Sequence, residues 1–428
     1  MRQVSMEQMA AAVARSAGAA GRPRVVVSGN FATPWAAVDA LDVLIPDWTL
    51  HMLNAQHGVP HRTGLRLETC FVGPGMRGQP TLSYVPSRLS MVPVLLRGPL
   101  APDAAVVHVA PPRQGLFSMG TEVNILPAAV AAARARGGVV VAIVNPRMPY
   151  TAGDALLPAD DVDLVVELEA QLPSPAAQAG VPDVQTQMIG EWVSARIPDG
   201  ATVQAGIGAV PDAVLRGLGD RRGLRVWSEM VSDGVLDLEH SGALDPEAQI
   251  ATSFLFGSQE LYAWADGNPR LRMLSTQVAN DPARIAANPR MVSVNTALEI
   301  DLFAQANAAH VRGQVYSGFG GQSDFVGGAL HAKDGQAIIA LRSWHPKADC
   351  STIVPLLSEP VTSFQHTAIV TEHGTAELVG RDQVEQAAAL IEHAADPRVR
   401  DELREEAGYL GLAATSEQGA ATSTRRVP

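Results

Sequence analysis

What most constrains this chain is a rhythm. Short apolar runs alternate with Ala-rich stretches of helical spacing, and the alternation stops near the middle and starts again. In the first half, runs at 24–28, 106–110, 139–145 and 164–169 predict strands. Residues 33–44 and 125–136 have helical spacing, with Thr33 as a capping residue and Pro34 at the first helical position. Residues 172–184 are rich in Pro, Ala, Gln and Ser and read as a linker. A helix is then expected at 185–197, and strands at 203–205, 224–227, 251–256, 272–275, 291–294, 337–341 and 368–370. Closing helices are expected at 382–393 and 399–410. The pattern predicts an α/β fold of two domains, 1–180 and 185–412, each on a largely parallel sheet flanked by helices. The small, polar tail 413–428 reads as disordered. Residues 1–24 read as an amphipathic surface helix, whose apolar stretch 9–14 is short for a signal peptide.

Composition removes several function classes. No apolar run reaches the roughly 18–20 residues that span a bilayer. A net charge of −12 argues against nucleic acid as a partner. Cys70 and Cys350 are the only cysteines, so no disulfide framework is expected, which fits a cytoplasmic protein. His57 and His61 are four apart, but Gly58 and Pro60 break any helix that would align them, and no metal site is expected. Neither GxSxG nor GxxxxGK[ST] occurs.

Ligands of parallel sheets sit beyond the carboxyl ends of strands, and four such segments stand out. Gly206-Ile207-Gly208-Ala209 joins a strand to a helix: an anion-binding turn, or an ordinary tight one. Glu229, in Trp227-Ser228-Glu229-Met230, follows a strand and precedes a polar turn. It is either a nucleophile held among apolar neighbours or a capping or ion-paired residue. Gly318-Phe319-Gly320-Gly321-Gln322 is dense enough in glycine for backbone N–H groups to converge on an oxyanion; the alternative is a mobile surface loop. Asn145-Pro146-Arg147-Met148-Pro149 is a ligand loop or a rigid turn.

In order along the chain, SGNFATP (28–34), GLFSMG (115–120), NPRMP (145–149), GIGAVPDAV (206–214), WSEMVSDGV (227–235), ATSFLFGSQELY (251–262), VNTALEIDLFAQ (294–305) and SGFGGQSDFVGGA (317–329) resemble the acetyl-CoA hydrolase/transferase family. The likeness runs from about Val25 to Leu410 and is greatest toward its 4-hydroxybutyrate CoA-transferase branch. It implies two similar CoA-transferase-type domains with the active site between them. It also implies Glu229 as covalent nucleophile, backbone donors at Gly320 and Gly321 beside Gln322, and a CoA-side loop at Gly206–Ala209. Gly318, Phe319, Asn145 and Met148 would complete the substrate site. Substrates would be an acyl-CoA and a small carboxylic acid, with no cofactor beyond coenzyme A itself and a homodimer or higher homo-oligomer as the assembly. The alternatives are a hydrolase using the same glutamate and a non-catalytic acyl-CoA-binding protein.

The sequence departs from the family pattern in its last third. Thr352 stands where an arginine is usual. Ser363-Phe364-Gln365-His366 is a shortened run without arginine. His373 replaces a tyrosine, Val384 opens a stretch that is usually more basic, and Ala304 replaces a glycine. If Thr352, Phe364, Gln365 and His373 faced the acyl pocket, a bulkier or less polar acid would be preferred.

Overall fold

The computed structural model describes residues 1–17, 21–175, 183–363 and 365–413. Its first sheet runs, edge to edge, through Arg2–Gln3, Leu164–Glu167, Val139–Val144, Ala104–Arg113, Arg24–Val27, Trp48–His51, Leu65–Thr69 and Leu82–Tyr84, every neighbouring pair parallel. The second runs through Gly374–Glu377, Ala368–Thr371, Gln336–Ala340, Met291–Asn295, Thr202–Ala205, Arg225–Trp227, Ile250–Thr252 and Leu271–Met273, parallel except for the first pair. Val, Ile and Ala dominate the central strands because parallel strands are covered on both faces. Val106, Val141, Val203, Val292 and Ile338 are almost wholly buried.

The two halves are not separate bodies. One apolar cluster runs continuously from Val26 and Val107 to Val203 and Ile338. Ala152–Gly153, from the first half of the chain, pairs with Leu271–Met273 at the edge of the second sheet. A Cβ on Gly153 would lie 2.4 Å from the Met273 carbonyl oxygen, and its φ is +94°, so the crossing requires glycine.

Expected elements appear with ends shifted by up to three residues, except that the expected strand 251–256 divides into Ile250–Thr252 and Phe254–Leu255, which belong to different sheets. Two local expectations change. The helix Trp35–Leu44 is preceded by Pro34 as its cap, with no side-chain capping bond. Thr33 Oγ1 instead donates to the Asn30 carbonyl at 3.1 Å, closing the preceding short turn. The N-terminal helix is shorter than expected, Met6–Arg15, held by a capping box between Ser5 and Gln8, with Met9, Ala10 and Val13 buried. The expected linker begins docked, since Leu172 is buried and its carbonyl accepts from Gln259 Nε2 at 2.8 Å. Residues 176–182 of that linker, 414–428 of the tail and Phe364 lie outside the described residues.

Candidate active site

The strand Arg225–Trp227 pairs with Ile250–Thr252, and after Ser228-Glu229 the chain pairs again, Met230–Val231 with Phe254–Leu255. Glu229 is therefore held between two registered pairs at a strand's carboxyl end. Its carbonyl accepts from the Ser253 N–H at 2.8 Å, the Phe254 N–H at 3.1 Å and Thr252 Oγ1 at 3.1 Å. With the backbone fixed this way, the side chain has one way to go, into a cleft between the two halves.

There Asn280 Nδ2 donates to Glu229 Oε2 at 2.8 Å. Asn280 is fully buried and follows the short helix Thr276–Ala279, which fixes the direction of its amide. Oε1 makes no hydrogen bond among the described residues. Burial raises the Glu229 pKa, the Asn280 bond lowers it and the nearby Asp324 charge raises it, with the result at about 7. Asp324 is itself buried, accepting from the Ser90 N–H at 3.1 Å and Ser90 Oγ at 2.8 Å. Burial lifts it to about 6 against those bonds and the Arg88 charge.

The glycine loop lies against the same carboxylate. A Cβ on Gly321 would fall 2.0 Å from Glu229 Oε2 and 2.5 Å from Asn280 Nδ2. The first half clamps the loop from outside. Val72 N–H donates to the Ser317 carbonyl at 2.8 Å and Leu89 N–H to the Gly320 carbonyl at 3.1 Å. The Phe319 N–H is taken by Tyr84 Oη at 3.1 Å. Phe319 is therefore not a free donor, whereas the Gly320 and Gly321 N–H groups have no acceptor among the described residues. Gly321 caps the helix Gln322–His331, its carbonyl accepting from the Asp324 and Phe325 N–H groups at 3.1 Å each, while the Gln322 and Ser323 N–H groups have no acceptor among the described residues. Gln322 Nε2, buried and unpaired, stands beside them.

The cleft encloses about 560 Å³ and takes its walls from both halves: Asn30, Asn54 and Phe71 on one side, Gly206, Glu229 and Gly320 on the other. Ile207, Thr296, Ala297 and Leu298 are shared with an adjoining groove of about 320 Å³ that contains Gly208, Ala209, Arg342 and Thr352. A ligand can thus run from Glu229 past the Gly206–Ala209 turn to the outside.

Of the residues singled out in the sequence, Glu229, Gly206, Ile207, Gly318, Phe319, Gly320, Gly321 and Gln322 line the cleft, and Gly208 and Ala209 the groove. Asn145 and Met148 do neither, which corrects the expectation. Asn145 is buried; its Nδ2 donates to the Ala170 carbonyl at 2.8 Å and its Oδ1 accepts from the Arg147 N–H at 3.0 Å. Met148 lies under Gly120, its sulfur accepting from the Thr121 N–H at 3.4 Å. The loop is a rigid turn that props up residues 120–121. The C-terminal departures are also displaced from the expected acyl pocket: Thr352 is in the outer groove, and His373 stands beside Glu372 and Asp396. Neither these nor Gln365 line the cleft.

The sequence reading missed the carboxamides. Gln204 and Asn295 form a network with Ser293 on the cleft floor, with Ser293 Oγ donating to Gln204 Oε1 at 2.6 Å and Asn295 Nδ2 to Ser293 Oγ at 2.8 Å. A glutamine inside the buried strand Thr202–Ala205 was the available signal. For Asn280 no local signal exists.

Residues 257–407 match the family described as acetyl-CoA hydrolase/transferase C-terminal domain. The chain is 34% identical to the 4-hydroxybutyrate coenzyme A transferase of Clostridium kluyveri, over 90% of this chain and 93% of that protein. It is 32% identical to the succinyl-CoA:cyclohexane-1-carboxylate CoA transferase of Geobacter metallireducens, over 76% of this chain and 75% of that one. The crystal structure of RipA from Yersinia pestis superposes with a TM-score of 0.86 at 29% identity, covering 96% of this chain and 98% of that one.

Proposed function

We propose that this chain, which belongs to the acetyl-CoA hydrolase/transferase family, moves CoA from an acyl-CoA to a free carboxylic acid by way of a thioester on Glu229. The observation that carries the reading is the placement of the Glu229 carboxylate in a cleft between the halves: one oxygen is held by Asn280 and packed against Gly321, and the other makes no hydrogen bond among the described residues.

The chemistry runs as a double exchange. Glu229 attacks the thioester carbonyl, the C–S bond breaks, and CoA thiolate leaves behind a mixed anhydride. The thiolate then attacks the Glu229 carbonyl carbon, the anhydride C–O bond breaks, and the first acid departs as its carboxylate. A second carboxylate reverses the sequence on the enzyme–CoA thioester. Each addition builds an oxyanion, for which the Gly320 and Gly321 N–H groups and Gln322 Nε2, in the cleft wall and without acceptors among the described residues, are candidate donors; one such donor is worth roughly 3–4 kcal/mol. The Asn280 amide keeps the attacking side chain aimed. The groove at Gly208, Ala209 and Arg342 suits the long CoA arm, whose remote binding energy can be used at the reacting carbon. The relatives' names include a hydroxy acid and a cyclic acid, so membership of the family does not fix the acid here.

Incubation with acetyl-CoA, with and without a panel of free acids, tests the reading. New acyl-CoA that appears only with added acid supports it. Free CoA released at the same rate with and without acid would make the protein a hydrolase, and binding without turnover would remove the catalytic role.

A further inference from the structure

Two of the candidate oxyanion donors are backbone groups of adjacent glycines, and the loop has no side chain there to aim them. A Gly–Gly peptide plane rotates at little cost, because neither residue has a Cβ to resist it. Something outside the loop must set the direction of the Gly321 N–H. The Gly320 carbonyl is the handle. In a planar trans peptide, the carbonyl of one residue and the N–H of the next point opposite ways. The Leu89 N–H donates to the Gly320 carbonyl at 3.1 Å, so the Gly321 N–H points away from Leu89. Leu89, Gly320 and Gly321 all line the cleft.

One hydrogen bond is a weak grip, and the next residue of the first half strengthens it. Asp324 accepts from the Ser90 N–H at 3.1 Å and from Ser90 Oγ at 2.8 Å, two bonds across 234 positions of sequence. The Asp324 N–H in turn donates to the Gly321 carbonyl at 3.1 Å. These bonds close a ring, from the Gly320 carbonyl to Leu89, from Ser90 to the Asp324 carboxylate, and from the Asp324 N–H back to the Gly321 carbonyl. The carbonyls on both sides of the Gly321 N–H are thereby pinned. The first-half side of the ring is firm: the short turn Leu89–Met91 runs straight into the helix Val92–Leu96, and Leu89, Val92 and Leu96 are buried.

A carboxylate in the first turn of a helix often serves that helix's own N–H groups. Both of the bonds that the Asp324 carboxylate accepts from Ser90 instead cross to the other half, and the residue is fully buried. Its charge is felt at Glu229, so it opposes any anion that develops there. Neither Ser90 nor Asp324 lines the cleft. The pair is costly to bury and touches no reacting atom; what it holds is the loop.

We propose that Ser90 and Asp324 form a latch between the halves, in which Asp324 is a positioning residue that fixes the Gly320–Gly321 peptide with its N–H turned to the carbonyl that Glu229 attacks. The inference rests on the transferase reading. Without the latch the chemical step slows while Glu229 stays in place, because its backbone is held within the second half by Thr252, Ser253 and Phe254.

The test compares wild type with Asp324→Ala, Ser90→Ala, the double variant and Ser90→Thr, each checked by thermal melting. One readout is the rate and amplitude of enzyme–CoA thioester formation from acetyl-CoA alone. The other is hydrogen exchange at the Leu89 amide, which bonds to Gly320 and to neither substituted side chain. Asp324→Ala should slow thioester formation about 100-fold, the cost of a misplacement of about 1 Å, with the amplitude per chain within about twofold of wild type. Ser90→Ala loses one of the two bonds and should slow it about tenfold. The double variant should be no slower than Asp324→Ala, because the two residues act as one unit. Ser90→Thr keeps both donors and should recover most of the rate lost in Ser90→Ala. The Leu89 amide should exchange about tenfold faster in Asp324→Ala than in wild type. A folded Asp324→Ala with the wild-type rate or wild-type Leu89 protection would overturn the proposal. So would losses that multiply in the double variant, or a fall in amplitude at an unchanged rate. If Asp324→Ala does not fold, the Ser90 variants decide by the same readouts, and equal rates in wild type, Ser90→Ala and Ser90→Thr overturn the latch. If wild type forms no thioester, the transferase reading fails on its own, and unchanged Leu89 protection in the variants still overturns the latch.

Discussion

Gly321→Ala isolates the nucleophile's geometry from the stability of the fold. Gly321 has φ −94°, so alanine fits the backbone, and the only obstruction is in space. The new methyl would fall 2.0 Å from Glu229 Oε2, where contacts between 3.0 and 3.4 Å are already tight. The carboxylate must therefore retreat by about 1 Å. The end of a glutamate side chain can do so, and the fold loses little beyond the Asn280 bond, about 1–3 kcal/mol. A 1 Å error at an attacking atom costs roughly 100-fold in rate, about 2.7 kcal/mol of activation energy. The control is Gly327→Ala, five residues into the same helix, where a Cβ meets nothing within 4 Å. That change should leave activity intact and stabilise the helix by about 0.5–1 kcal/mol. The assay is kcat/KM for transfer from acetyl-CoA, read beside thermal melting. A folded Gly321→Ala protein keeping more than about a third of wild-type activity would refute the reasoning.

Other outcomes follow from the same coordinates. Attack requires ionised Glu229, so kcat/KM for the acyl-CoA should fall about tenfold per pH unit below about 7, the value to which burial lifts this carboxyl. A raised carboxyl pKa means that the folded state binds the proton more tightly than the unfolded chain. Glu229 therefore weakens the fold progressively as pH rises from the ordinary 4.5 through 7; Glu229→Gln should melt higher than wild type at pH 8, with the gap closing near pH 5. Glu68 shows the opposite sign: burial pushes it up, but His51 and Arg24 outweigh that and hold it at about 2. Its contribution is full above pH 4.5 and lost as pH falls toward 2, and Glu68→Gln should cost roughly 3 kcal/mol in denaturant unfolding at pH 7. A covalent enzyme–CoA intermediate requires parallel double-reciprocal lines over a grid of both substrates; intersecting lines would indicate a ternary complex instead.

The parts legible in the sequence were those whose signal is local. Buried parallel strands such as Val139–Val144 are unbroken apolar runs, and a carboxylate after a strand or a dense glycine run is visible without knowing its neighbours. The strands Trp48–His51, Leu65–Thr69 and Leu82–Tyr84 were missed because polar residues interrupt them. Glu68 looks like a surface charge, yet it is buried, accepting from Arg24 Nε at 2.9 Å and lying 3.0 Å from His51 Nδ1. The oxygen-holding partner of Glu229 could not be found for a related reason. Asn280 sits at the end of a four-residue helix, and that helix is brought to the cleft by bonds from distant parts of the chain, the Thr276 N–H to the Asn124 carbonyl at 2.9 Å and Trp227 Nε1 to the Ala279 carbonyl at 2.9 Å. The Asn145–Met148 loop misled because a rigid Pro turn reads the same whether it lines a cleft or, as here, packs beneath Gly120 and Thr121.

The most direct test of Glu229 as nucleophile is reductive trapping. The protein is treated with acyl-CoA alone and then with borohydride, which reduces an enzyme–CoA thioester and turns the one glutamate that carries it into an alcohol. Peptide mass spectrometry then locates the change. The account predicts the reduced residue at Glu229, in the peptide that holds Trp227 and Met230, and no trapping in Glu229→Gln. Reduction at Glu122, Glu299 or Glu372, or full transfer activity in Glu229→Gln, would contradict it.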